Sequence, residues 1–491
     1  MTGRRGGALR RCVAFFAAAV LILAAAPGTN WTQAPVDPAL VSGGYALVRV
    51  GHGAAGAVAA EALAAGATDV SALDAIDVVT ARVSDRAVRA LRADPRVAFI
   101  AADEVVTAAG DRERFERQSG RPSPAMAVID ADKAWATATG SGITIALMDT
   151  GVAEHPDLAG SVVTRVDFVN GGATVLDPSG HGTFVAGLIA AHGRTFKGVA
   201  PDAKLVSLRV LDVHGKGTMH SVLGAFDWLL HNRAAQHIQV LNLSFGAPQH
   251  ASYQRELLAG VVESVWFAGI TVVAAAGNDG PTRGTVNMPG ADPFIVTVGS
   301  LADQGTPTET DDRESVFSSR GPTRDGFAKP DLLAPGEHVV SLRVPGTALD
   351  RDAPDDAPAT AYARLSGTSA STAMATGASA LVLQAHRSYS PTQVKGALVT
   401  GGRHISGTRT PGLDTDDALT ARPARVNAAV VPSAVLLKVL VASGQVSGGV
   451  KWDGVTWESV TWESVTWEGV TWESVSWESV TWESVTWEAR S

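Results

Sequence analysis

The sequence predicts an α/β protein: a parallel sheet sandwiched by helices, preceded by a small α+β unit and followed by a low-complexity, Trp-rich tail. Three observations carry this. From about residue 127 to 430, short apolar runs alternate with helical stretches, and buried apolar strands interleaved with helices imply a parallel sheet covered on both faces. Residues 44–107 mix shorter strand and helix patterns. Residues 451–491 repeat a pentapeptide, essentially Val-Thr-Trp-Glu-Ser.

A chain of 491 residues exceeds one ordinary domain. Apolar residues make up 45% and charged residues 18%, a globular composition. The net charge of −9 is unevenly placed: residues 451–491 hold eight carboxylates against Lys451 and Arg490, or −8 + 2 = −6. The remainder is close to neutral, which argues against a nucleic-acid partner held on a basic face.

At the N-terminus Arg4, Arg5, Arg10 and Arg11 precede an apolar run from Cys12 to Ala26, then Pro27 and Gly28. This reads as a signal peptide over residues 1–28, with secretion as the expectation. A retained anchor is the alternative, but the run falls short of the roughly 20 residues that a membrane-crossing helix needs. Cys12 is the only cysteine, so the processed chain would have neither a disulfide nor a thiolate nucleophile.

In the small unit, strands are expected at Tyr45–Val50, Ala75–Val83 and Val97–Ile100, with helices near 54–65 and 84–93. Residues 108–126 include a charged, aperiodic stretch from Arg112 to Arg121 and read as an exposed, cleavable linker. In the main domain, 127–430, the apolar runs are Ile143–Met148, Leu205–Leu211, Ile238–Phe245, Ile270–Ala276 and Phe294–Val298. Helices are expected at 183–192, 218–232, 252–267, 370–386 and 391–399. Residues 345–363 read as a surface loop and 431–450 as a linker. The tail's period of five fits neither a helix face nor a strand face. Its readings are a low-complexity tail, a stacked solenoid, or an adhesive aromatic strip for cell-envelope or carbohydrate contact.

Three segments carry chemistry. Asp149 ends the apolar run Ile143–Met148, where an acid is held rigidly and partly desolvated, as the orienting member of a catalytic triad must be. Taken alone, it would be an ordinary turn or cap residue. His181 lies between Gly180 and Gly182 at the start of an apolar helix; the glycines leave room for a substrate backbone to approach the imidazole. Ser369 follows Ser366-Gly367-Thr368 and opens a helix rich in small residues. There, unpaired N–H groups and the helix dipole favour an oxyanion, although such a serine is more often a simple cap.

Together the three resemble the subtilisin-like serine protease family over roughly residues 127–400. The boxes stand here as Met148-Asp149-Thr150-Gly151, Gly180-His181-Gly182-Thr183 and Ser366-Gly367-Thr368-Ser369, in the order Asp, His, Ser. Gly198–Pro201, Leu241–Gly246, Ala274–Asn278, Phe317–Pro322 and Lys329–Gly336 are similar to further family segments. The resemblance implies a subtilisin-like fold and a serine endopeptidase acting on protein or peptide substrates, with Asp149, His181 and Ser369 as triad. It further implies an oxyanion hole made by the Asn278 side chain and the Ser369 backbone N–H. A substrate would add as a strand along Leu243, Ser244, Phe245, Gly246, Ala274, Ala275, Ala276 and Gly277. Residues 44–107 resemble the family's inhibitory prosegment, notably Tyr45–Val50 and Asp94–Ile100, which implies a zymogen whose prosegment is an intramolecular inhibitor, self-cleaved between about Val106 and Ser123.

Two departures stand out. After Ser369 the chain reads Ala370-Ser371-Thr372-Ala373 where the family usually continues Met-Ala-Thr-Pro, so Ala373 gives up proline's preset φ. No cofactor is required. Calcium as a structural ion stays open: Asp157 matches a family calcium ligand, but the ligand loop expected after the His181 helix is shortened, and a solvated turn aspartate is the competing reading. A noncatalytic scaffold with the tail as its working surface is the alternative function.

Overall fold

The computed structural model describes residues 34–109, 116–117, 124–170, 176–351, 361–428, 430–433 and 436. The expected signal peptide, most of the linker 108–126 and the Trp-rich tail lie outside them.

The N-terminal unit runs β1 (Tyr45–Val50), α1 (Ala55–Ala64), β2 (Thr68–Leu73), β3 (Val78–Arg82), α2 (Asp85–Ala93) and β4 (Val97–Ala102). Its antiparallel sheet has the order β2-β3-β1-β4 and its own apolar core, with Val48, Val58, Val79 and Leu91. The strand expected over Ala75–Val83 starts only at Val78, because Asp74–Ile76 form a 3₁₀ turn and Asp77 takes φ 51°. β2 had no sequence signal; it is an edge strand with one buried residue, Leu73, so it lacks the apolar alternation that marks a half-buried strand.

Two short strands follow, β5 (Val105–Ala108) and β6 (Glu116–Arg117). The main body then supplies β7 (Thr144–Asp149), β8 (Val162–Asp167), α3 (His181–Ala190), β9 (Lys204–Arg209), β10 (Lys216–Thr218) and α4 (Met219–Asn232). Next come β11 (Ile238–Leu243), β12 (Phe245–Gly246), α5 (Leu257–Phe267), β13 (Thr271–Ala275) and β14 (Val296–Ala302). The chain finishes with β15 (Arg313–Glu314), β16 (Leu332–Pro335), β17 (Val339–Leu342), β18 (Tyr362–Leu365), α6 (Thr368–Ala385), α7 (Pro391–Gly401) and α8 (Thr415–Thr420).

The main sheet has the order β15-β14-β13-β11-β7-β9-β8, with β16 also paired to β14, and only β15 runs antiparallel. Every residue of β7, β13 and β14 is buried, as a sheet covered on both faces requires. The edge strand β8 is mostly half-buried, with Thr164, Arg165 and Asp167 interrupting its valines, so it left no continuous apolar run to read. At the far edge, Lys329 and Lys395 both pair with Asp331, at 2.6 and 3.1 Å. Burial pushes the Lys395 amine down to about 7 against the pull of Asp331.

Two expected loops carry structure. The stretch 345–363 runs into β18, which pairs with β17 on one side and β6 on the other. The start of the expected linker 431–450 packs against the body: Ser433 is fully buried, and its N–H and hydroxyl donate to the Glu263 carboxyl at 2.7–2.9 Å. No helix among the described residues is long and apolar enough to cross a membrane.

The small unit docks on α4. Asp227 Oδ1 accepts from Ala75 N at 2.8 Å, and Tyr45 stacks on His220 with ring centroids 4.4 Å apart. At the start of α4, Asp103 Oδ1 accepts from His220 N at 2.9 Å and Glu104 O from Met219 N at 2.8 Å. The chain therefore leaves the small unit anchored at a fixed point and enters β5 at once.

Candidate active site

Asp149 ends β7, and His181 opens α3. The imidazole Nδ1–H donates to Asp149 Oδ1 at 2.7 Å, with both side chains almost fully buried. The same oxygen accepts from Thr150 N at 2.7 Å. What brings the strand end and the helix start together is a residue the motifs did not single out, Asp177. Its carboxylate accepts from Ser179 N, Gly180 N and Thr183 N at 2.8–3.1 Å, and from Thr150 Oγ1 and Thr183 Oγ1 at 2.8 and 2.6 Å. Thr150 Oγ1 in turn accepts from Gly182 N at 2.9 Å. Full burial pushes the Asp177 carboxyl above the usual range, against these donors.

The glycine next to His181 is required by the chain's own packing. A Cβ on Gly182 would lie 2.0 Å from Gly151 O, and one on Gly151 would lie 1.8 Å from Leu176 O. The two backbones cross with no space for a side chain, and that crossing sets the distance between the acid and the imidazole.

Ser369 is the second residue of α6 and is fully buried, with its Oγ donating to Ser244 O at 3.3 Å. Ser244 follows β11, the strand beside β7, so its carbonyl lies at the same end of the sheet as Asp149. A buried relay pins it there: Thr376 Oγ1 of α6 donates to Asn242 Oδ1, and Asn242 Nδ2 to Ser244 Oγ, both at 2.9 Å. Asn278 closes the group. Its Oδ1 accepts from Thr368 N and Thr368 Oγ1 at 3.0 and 2.8 Å, satisfying the first turn of α6 and turning Nδ2 the other way. Nδ2 donates to the carbonyl oxygen of Ala109.

Ala109 follows β5, and β5 fills a slot between β10 and β12, antiparallel to both. Thr107 pairs with Lys216 and Gly246, and Ala108 with Phe245; Ala108 N donates to Gly215 O at 2.7 Å and Ala109 N to Ser244 O at 3.0 Å. Of the expected lining residues, Ser244, Phe245 and Gly246 meet β5 through their backbones. Leu243 and Ala274 instead belong to the main apolar cluster, and Ala275 and Ala276 are buried. Gly277 stands at φ +106°, where an added Cβ would come 2.8 Å from Asn287 Nδ2. The opposite wall, β10, was missed: Asp212–Thr218 is short and turn-rich, with Gly215 and Gly217.

Asp157 lies in the 3₁₀ turn Pro156–Leu158. Its Oδ2 accepts from Tyr362 OH at 2.9 Å, and its carboxyl group lies against Gly193, within 2.5 Å of where a Cβ would be. Among the described residues, no group of three or more carboxylate, imidazole or thiol side chains converges to hold a metal ion. The departure at Ala373 leaves α6 unbroken from Thr368 to Ala385, with Ala373 fully buried.

The model of the Subtilase family matches residues 140–416, more than half of the chain. The chain belongs to the subtilase family. This subtilase is 38% identical over 274 residues to Serine protease AprX of Bacillus subtilis (strain 168), a match covering 54% of this chain and 62% of that protein. The match thus takes in less than two thirds of AprX's length. It is 31% identical to an alkaline protease of Alkalihalobacillus alcalophilus over 69% of this chain and 77% of that one. With Thermitase of Thermoactinomyces vulgaris it shares 35% identity over 57% of this chain and 88% of that one.

Proposed function

We propose that this subtilase is a secreted serine endopeptidase, made as a self-processed zymogen, that hydrolyses peptide bonds through an acyl-enzyme with Asp149, His181 and Ser369 as its triad. The observation that carries this reading is the convergence, at one end of a parallel sheet, of a buried Asp149–His181 pair, a serine at a helix start and an Asn278 N–H directed at a peptide carbonyl. Secretion is supported by the basic and apolar N-terminal sequence and by a relative named Extracellular serine proteinase, of Thermus sp. (strain Rt41A). The small unit is read as the prosegment, since its C-terminal strand lies where a substrate strand would.

Each group has a defined task. His181 accepts the Ser369 proton as Oγ attacks the carbonyl carbon, and Asp149 holds the ring with its Nδ1 protonated and stabilises the imidazolium. The carbonyl oxygen becomes an oxyanion facing Asn278 Nδ2 and the first N–H groups of α6. Collapse expels the amine, and water then releases the acid from the ester.

A fluorophosphonate probe tests the reading, because only an activated serine reacts quickly. The processed protein should be labelled within minutes on Ser369, mapped by peptide mass spectrometry; an unlabelled Ser369 in folded, processed protein would exclude the peptidase. Replacing Asn278 with alanine should lower kcat about 10²- to 10³-fold and leave KM nearly unchanged in steady-state kinetics on a chromogenic peptide, because the lost donor acts on charge that develops only in the transition state.

A further inference from the structure

We propose that Asp350 is a positioning residue for His181: paired with Arg343 it shapes the loop 343–351, and that loop sets where the start of α3 carries the imidazole. This rests on the peptidase reading above and adds a group that acts on the reaction through the base.

The loop belongs to the hairpin of β17 and β18, which packs on the His181 helix and leads towards Ser369. Ser341 Oγ of β17 donates to Phe184 O of α3 at 2.7 Å, and a Cβ on Gly187 would come 2.4 Å from that same Oγ. Arg343 N donates to Ala361 O at 3.0 Å, carrying the pairing of the two strands one residue past β17. At the other end, Leu365 closes β18 immediately before Ser366-Gly367-Thr368-Ser369. The loop therefore springs from a base fixed on α3.

Beyond that base Asp350 organises the chain. Its Oδ1 accepts from Arg343 Nε and its Oδ2 from Gly346 N, the latter at 2.7 Å, with both charged side chains buried. Thr347 Oγ1 donates to Val344 O at 2.8 Å, and Gly346 turns the backbone at φ +79°. A buried ion pair adds little net stability, since taking both charges out of water costs about what their attraction returns. What this pair does fix is the course of the loop.

The loop so fixed meets the residues just before His181. Ala348 N donates to Pro178 O and Leu349 N to Ser179 O, both at 3.0 Å. Thr347 Oγ1 lies against Gly180, 2.7 Å from where a Cβ would be. Asp177 holds the N–H groups of Ser179 and Gly180. Residues 178–180 are thus gripped through their carbonyls by the loop and through their N–H groups by Asp177, and His181 comes next. Gly180 stands at φ +95° and has the backbone freedom of glycine, so a segment released from the loop can swing and carry the ring with it. A reacting group misplaced by about 1 Å costs on the order of 10²-fold in rate. The contacts named involve neither β10 nor β12, where a substrate strand is expected, so the loss falls on kcat and not on KM.

The test uses processed enzyme, its prosegment removed by a second protease and its active sites counted by fluorophosphonate labelling of Ser369. Asp350→Ala should lower kcat per labelled site about 10- to 100-fold and leave KM within about twofold. That variant removes a buried partner of the Arg343 guanidinium and can fail to fold, so Ala348→Pro is made beside it. It deletes the N–H given to Pro178 O at the first position of the helical turn Ala348–Arg351, where proline is tolerated. Here kcat per site should fall about three- to tenfold, again at unchanged KM. In both variants the proton that His181 Nδ1 gives to Asp149, far downfield in the proton NMR spectrum, should move or broaden. A merely structural role would lower the thermal transition and leave that line and kcat per site alone. Ala348→Pro with wild-type kcat per site and an unmoved line would overturn the assignment, as would a loss confined to KM. Folded wild-type enzyme that takes no label on Ser369 would instead remove the peptidase reading, and this inference with it.

Discussion

Ser369→Ala is expected to abolish turnover of a peptide substrate, by on the order of 10⁶-fold in kcat, and to leave the precursor as a single uncut chain. The two readouts are independent. Kinetics are best measured on enzyme whose prosegment was removed by a second protease, so that an uncut prosegment does not mimic a chemical defect. The structure says why little else should change: Ser369 Oγ makes one long hydrogen bond, 3.3 Å to Ser244 O, while Asn278, Thr368 and the Thr376–Asn242–Ser244 relay hold the start of α6 without it. The thermal transition of Ser369→Ala should therefore stay within a few degrees of the wild-type precursor, as calorimetry would show. Normal processing of this variant would contradict self-cleavage.

The second large effect is expected at Asp149. Asp149→Asn should cut kcat by about 10⁴-fold while leaving affinity for a noncovalent peptide inhibitor nearly unchanged. Asp149 Oδ1 accepts from both Thr150 N and the His181 ring at 2.7 Å. An amide whose oxygen takes that place keeps both bonds but carries no charge to stabilise the imidazolium; one whose NH₂ takes it faces Thr150 N and donates to His181 Nδ1. In the second arrangement the ring must put its proton on Nε2, and Nε2 can then no longer receive one from Ser369. A single-turnover assay with a measured inhibitor constant separates the two effects, and a proportionate loss of inhibitor binding would point to a collapsed site instead.

Much of this was readable from short stretches of chain. Asp149, His181, Ser369 and Asn278 each sit at an element boundary whose apolar run or small-residue helix is visible locally, so their neighbours advertise them. The strands β7, β11, β13 and β14 were legible because burial on both faces demands continuous apolar sequence. Asp177 was not, because its value lies in five donors drawn from residues 150–183, which only the folded loop gathers. Gly182 also stands at a backbone crossing with Gly151, which no spacing rule reveals. β5 and β10 were missed because each is short and paired to distant partners, so their strand character comes from the slot and not from propensity. Ser433 was assigned to a linker on composition alone, yet the buried Glu263 reaches it across 170 positions of sequence.

On the zymogen reading proposed above, the two residues that close the top of α4 belong to the piece that is shed. Asp103 and Glu104 hold the amides of His220 and Met219, and helix starts deprived of such acceptors lose about 0.5–2 kcal/mol each. On that reading those amides turn to water once the piece is removed, and the processed chain lacks bonds under which it was assembled. The same reading makes the endurance of the processed chain a matter of how slowly it opens rather than of where its equilibrium lies, because the piece under which it closed is gone.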